Sequence, residues 1–199
     1  MTAPLALPSG ERPKPRNLLN LGVLVVVIGG VALFTTLVAA YITVGHLAKA
    51  WPPSGVYLDV YTGNMLALTA MMSAVTVEWS YYAVKHDDPA QGTWGLLITA
   101  GLGAGFVLLL WQLGSHMGFG PGSAKIGAFA VLFFAMLAAS GAVALAGILA
   151  VLAVVARVIG RQATASNAEM VRAVAWYWDF VVVAWLVVYA AIWLFTGVR

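Results

Sequence analysis

The chain contains no cysteine, only three histidines and few charges: ten Lys or Arg and seven Asp or Glu in 199 residues. Without cysteine there is no disulfide frame and no thiolate metal site, although the compartment stays open. His46, His86 and His116 fall outside the apolar segments or at their ends, so no imidazole sits where a metal or haem inside a bilayer would need one. Phosphate-loop, zinc-protease, serine-elbow and dinucleotide fingerprints are all missing. The stretch Gly101-Leu102-Gly103-Ala104-Gly105 is glycine-rich but lies in the middle of an apolar run, where it could not cradle a phosphate. These absences point to a protein that supports chemistry carried out by another chain. The net charge of +3 is too small for a nucleic-acid surface and fits the Lys/Arg excess of membrane flanks.

What the chain does have is apolar length. Hydrophobic residues make up 62% of it, against about 45–50% in ordinary globular proteins. Residues 1–20 hold Pro4, Pro8, Pro13 and Pro15 with Arg12, Lys14 and Arg16, and read as an extended basic arm. The apolar run after it exceeds the roughly 7–15 residues of a signal-peptide core, so it reads as a retained first span. Residues 21–199 form one membrane domain with spans at about 21–44, 61–84, 94–113, 126–156 and 173–195. Only helices and closed barrels satisfy their backbone in lipid, and these lengths predict an all-α bundle of five transmembrane helices. The fourth span is long enough to tilt or protrude. Short loops predict that consecutive helices are antiparallel neighbours.

Lys and Arg divide seven to three between the two sides: Arg12, Lys14, Arg16, Lys85, Arg157, Arg161 and Arg172 against Lys49, Lys125 and Arg199. This bias predicts a cytoplasmic N-terminus and an outside C-terminus. Asp87-Asp88-Pro89 reads as a tight inner turn, Trp51-Pro52-Pro53-Ser54-Gly55 as a rigid outer loop and Phe119-Gly120-Pro121-Gly122 as an outer turn. Ser166-x-x-Glu169 has the form of a capping box for the fifth helix. Trp94 and Trp176 fall near the inner boundary and Trp51, Trp111 and Trp193 near the outer one, as expected of aromatic belts.

Small residues recur at four-residue spacing: Gly101 and Gly105 in the third span, and Ala138, Ala142, Ala146 and Ala150 in the fourth. Such faces let helices approach closely, without saying whether the partner helix belongs to the same chain. Asn64, Thr69, Ser73 and Thr76 read as interhelical hydrogen-bonding residues. Two acids lie inside spans. Glu78 is about 9 Å deep, six residues from the inner end at about 1.5 Å each, and Asp179 is seven residues beyond Arg172. Acids in spans are costly and face protein or water. Two readings stay open: a proton-collecting or partner-pairing site, or a purely structural pairing with a nearby basic residue or interfacial water.

In order and spacing, Trp51-Pro52-Pro53-x-Gly55, Asn64, Ser73-x-x-Thr76-x-x-Trp79, Gln112 and Trp176-Tyr177-Trp178-Asp179-Phe180 with Trp185 resemble subunit III of haem-copper oxidases. The resemblance runs from about residue 20 to the C-terminus, in the short five-helix form. It implies a non-catalytic subunit of an aerobic, proton-translocating cytochrome oxidase, so that the complex is an oxidoreductase while this chain carries no redox centre. It implies a catalytic subunit I as partner, with subunit II in the same complex, and haem and copper held by those partners. It also implies bound phospholipid in a cleft between helices 1–2 and 3–5, support of proton uptake, and a bacterial or archaeal cell membrane. Several positions depart from the family pattern. Gly30 stands where the family has a buried glutamate, Ser140 and Val143 where it has a histidine pair, Asp179 where it has a histidine, and Ser115 where it has a glutamate. An accessory subunit of a nitric oxide reductase is the alternative within the same fold. An independent small transporter is the alternative outside it, though no repeat or polar pore lining supports one.

Overall fold

The computed structural model describes residues 18–195. Among these, five long helices and no strand are present. They are α1 (Leu18–Leu47), α2 (Val60–Lys85), α3 (Pro89–Ser115), α4 (Ala128–Ile159) and α5 (Glu169–Tyr189), the last continued by one π-helical turn, Ala190–Leu194. Each is long and apolar enough to cross a membrane, so the chain is an all-α integral membrane protein. The helix α1 starts at Leu18, so residues 18–20 belong to it rather than to the arm; the four prolines of that arm lie outside the described residues. At 32 residues, α4 is about 48 Å long, well beyond a hydrocarbon core of about 30 Å.

The termini of the helices follow local chemistry. Asp88 caps α3 through a 3.0 Å bond from the Gln91 amide, with Pro89 filling the first turn where no N–H is needed. The helix α5 is entered through the 3-10 turn Ala165–Asn167, with Ala168 at its cap position; the Ser166 side chain, on which the expected capping box rests, lies outside the described residues.

Asp59 caps α2, accepting from the Thr62 hydroxyl and from the amides of Tyr61 (2.9 Å) and Thr62 (3.3 Å). The Thr62 hydroxyl above all, then these amides, hold the Asp59 carboxyl below its ordinary range. Its capping contribution is therefore complete above the unfolded carboxylate range and is lost as pH falls through the lower folded value. Replacing Asp59 with alanine is expected to cost about 1 kcal/mol, read as a lower melting temperature at neutral pH. If the difference from the parent does not shrink under strongly acidic conditions, the carboxylate is not its source.

Packing corrects two sequence expectations. The helix α1 lies on α4 and α5, not beside α2, while α2 packs chiefly on α3 and also on α5. Because α2 belongs to the same packed unit as α3 and α5, no cleft divides helices 1–2 from 3–5. The physical reason is where the bulk and the gaps fall. A side chain at Gly95 would run into the Ser80 hydroxyl, so this glycine brings α3 onto α2. On α1, a Cβ at Gly30 would run into the Phe180 ring, and Phe34 meets Phe180 edge-on at 6.1 Å, so α1 is seated on α5. Tyr41 and Trp51 close the other end against Phe129, with ring centroids 5.1–6.0 Å apart.

Candidate functional site

Glu78, about two turns from the end of α2, and Asp179, nearly three turns from the start of α5, come together. Arg172, two turns before Asp179 on the same face of α5, donates through one guanidinium nitrogen to both Glu78 oxygens at 3.1 and 2.9 Å. Asp179 lies within hydrogen-bonding reach of Glu78 and within the field of Arg172. Two aromatic faces hold the guanidinium from the sides, Tyr81 at 4.7 Å and Trp176 at 5.3 Å. Partial exposure, 34% for Arg172 and 42% for Glu78, keeps the cluster in touch with the surface of the bundle. One cation thus faces two carboxyl groups.

A second polar assembly braces this site. The Trp178 indole N–H donates to the Ser73 hydroxyl at 2.9 Å, tying α5 to α2 one helix position from Asp179. The Trp178 ring is 2% exposed and fills a slot floored by two glycines. A Cβ at Gly103 would come within 2.5 Å of it and one at Gly147 within 2.8 Å. Tyr177 donates its hydroxyl to the Val143 carbonyl at 2.9 Å, and Ser140 donates to the Met136 carbonyl at 2.8 Å. The positions that lack the family's histidine pair are therefore filled by backbone-directed bonds, and the place of its buried glutamate is taken by the Phe180 ring against Gly30.

The remaining sequence candidates are distributed as follows. Thr76 pairs with Thr99 at 2.7 Å between α2 and α3, and Asn64 accepts from the Tyr189 hydroxyl between α2 and α5. Thr69 bonds within its own helix, to the Met65 carbonyl at 2.8 Å, so it is no interhelical bridge. Trp79, Trp94, Trp111 and Trp176 are exposed on the outside of the bundle. Trp193 departs from the expected belt: it is buried against Gly63 and stacked on Tyr189. Trp51 is half-buried, with Pro52 and Pro53 in the loop that follows α1. Gly101, Ala138, Ala142 and Ala146 face outward, Gly105 is half-exposed, and a Cβ on either glycine would meet nothing within 4 Å. These residues do not pack helices within this chain. Gly103, two residues on from Gly101 and about 200° around the helix, does so instead. Arg172 is hinted at by the sequence, since a seven-residue step returns to the same helix face, whereas nothing in it marks Gly103 and Gly147 as the bed of Trp178.

The fold and the polar core define a class: a five-helix integral membrane bundle in which the two carboxyl groups inside the spans meet one arginine between α2 and α5. The chain belongs to the cytochrome c oxidase subunit III family, whose model matches residues 11–197. It is 30% identical to cytochrome c oxidase subunit 3 of Thermostichus vulcanus over 179 residues, 88% of this chain and 87% of the relative. It is 29% identical to the Lumbricus terrestris protein of the same name over 74% of this chain, spanning 56% of that longer relative. It is 28% identical to that of Tragelaphus imberbis over 90% of this chain and 70% of the relative. As a subunit III, it is part of an oxidase complex.

Proposed function

We propose that this chain is the non-catalytic subunit III of an aerobic haem-copper oxidase in a bacterial or archaeal cell membrane. It packs on the catalytic subunit I, with subunit II in the same complex; haem and copper reside in those partners, and phospholipid binds this chain. The Lys/Arg-rich end, with Lys85, Arg157, Arg161 and Arg172, faces the cytoplasm, in keeping with the charge bias across the spans. The observation that carries a role in proton uptake is the pairing of Glu78 with Asp179 beside Arg172 near that end. Two carboxylates and one guanidinium leave one negative charge, which a single exchangeable proton balances. The pair then collects protons at the surface from which the catalytic subunit draws them.

Two experiments test this reading. An oxidase complex purified without this chain is expected to reduce oxygen at first and to inactivate sooner than the complete complex. Equal lifetimes would refute the supporting role. In the complete complex, Asp179→Asn is expected to slow proton uptake at alkaline pH, where free protons are scarce, while leaving assembly unchanged. A pH profile of turnover superimposable on the parent's would remove the pair from the proton path.

A further inference from the structure

The outward face of α2 differs from the rest of the exterior. This helix is buried to the same extent as α3, yet it is the least apolar of the five spans. On α1 and α4 the large exposed hydrophobic side chains are all Leu, Val or Ile. On α2 two polar groups stay open to the outside. Glu78 keeps 42% exposure beside its arginine. Asn64 is exposed and accepts the Tyr189 hydroxyl through its side-chain oxygen, while its amide nitrogen makes no bond among the described residues. The two lie 14 residues apart, about 21 Å at about 1.5 Å per residue.

The exposed positions also keep a register. Tyr61, Leu68, Val75 and Tyr82 form a row at seven-residue steps, all of them exposed. Asn64 and Glu78 stand in the next row, three residues on. Two rows at this spacing form the seam along which helices pack in left-handed pairs, the common geometry of membrane bundles. From Tyr61 to Tyr82 the seam is about 32 Å long, the whole of a hydrocarbon core of about 30 Å.

The polar groups choose the occupant. Lipid chains would leave the Asn64 amide and the Glu78 carboxyl without hydrogen-bond partners inside the apolar layer. A second copy of this chain would set Glu78 against Glu78 at one depth, acid against acid. A carboxylate on any other helix is excluded at that level for the same reason, and the single proton that balances the cluster leaves no place for a further Lys or Arg.

We infer that the Tyr61–Tyr82 face of α2 seats one transmembrane helix of a different polypeptide in the complex. That helix carries neutral hydrogen-bonding side chains (hydroxyl, amide or imidazole) level with Asn64 and Glu78, about 14 residues apart, with apolar residues between. The inference names a docking surface for the subunit III reading, and it rests on that reading only for the existence of a complex.

The test places a photoreactive amino acid at Leu68, at Val75 or, for comparison, at Leu149 on the aliphatic exterior of α4. Native membranes are irradiated, the complex is purified and the adducts are mapped by mass spectrometry. The Leu68 and Val75 positions are expected to cross-link one membrane-spanning segment of another chain, at points about seven residues apart, and Leu149 to give lipid adducts. Lipid adducts at all three, cross-links to a second copy, or a segment lacking hydrogen-bonding side chains at the two levels each overturn the inference. Val75 and Leu149 are 70% and 68% exposed, so a tryptophan at either leaves the fold of the chain intact. Val75→Trp is expected to lower recovery of the cross-linked partner about tenfold through overpacking of the seam, with the melting temperature of the isolated chain unchanged. Leu149→Trp is expected to leave both unchanged. Equal recovery from the two variants overturns the inference. Cross-links within a complex that does not reduce oxygen would uphold the docking surface and remove the subunit III reading; lipid adducts alone in an active oxidase would do the reverse.

Discussion

Trp178→Ala is expected to destabilise the bundle by about 3 kcal/mol or more. Lipid is as apolar as the core, so the loss comes from packing rather than from hydrophobic transfer. The ring lies between α3 and α4, on glycines that leave no other group able to fill its place, and its N–H is the bond that joins α5 to Ser73. The cavity left behind can close only if three helices shift together. For a chain of this size the change corresponds to a fall in melting temperature of about 6–12 °C, measurable on the detergent-solubilised protein. Trp178→Phe keeps most of the bulk and removes the donor, and is expected to cost about 1 kcal/mol. Trp94→Ala, on an exposed tryptophan, serves as the comparison. If Trp178→Ala melts no lower than Trp94→Ala, the slot is not the keystone of the helix packing described above.

Arg172→Met is expected to give the second largest loss, about 1–3 kcal/mol, because it leaves Glu78 and Asp179 facing each other without a cation. Both partners of the ion pair are about a third or more exposed, so solvent screening keeps the figure below that of a fully buried pair. A double-mutant cycle separates the electrostatic part from the lost stacking on Tyr81 and Trp176. With Glu78 already changed to Gln, removal of Arg172 is expected to cost less than half as much, since one negative charge has gone. Additive losses across the cycle would mean that Arg172 acts through its aromatic contacts alone and that no charge coupling joins α2 to α5.

Five apolar runs and their approximate ends were legible in the sequence because apolar length in lipid admits few other structures. Glu78 and Asp179 were legible as candidates because ionisable residues inside spans are rare. Their meeting was not, since nothing in either segment alone says which faces of α2 and α5 turn toward each other. The small-residue repeats were visible, but their spacing left open whether the partner helix lies in this chain. Spacing identifies a smooth helix face, yet Gly101 and Gly105 look outward while Gly103, outside the repeat, accepts the Trp178 ring. Chain adjacency did mislead for α1, because the 12 residues between α1 and α2 are long enough to separate the two helices.

By itself, then, the sequence determined the solvent of this protein, its span number and its family, because each rests on composition and ordered motifs along one dimension. Only the tertiary structure decided that Arg172 binds Glu78 beside Asp179 and that Phe180 occupies the space opposite Gly30. Those features depend on the rotation of each helix about its axis. Rotation is set by how bulky side chains such as Trp178 and Phe180 find gaps at distant glycines, a match between segments up to about 150 residues apart, as for Gly30 and Phe180.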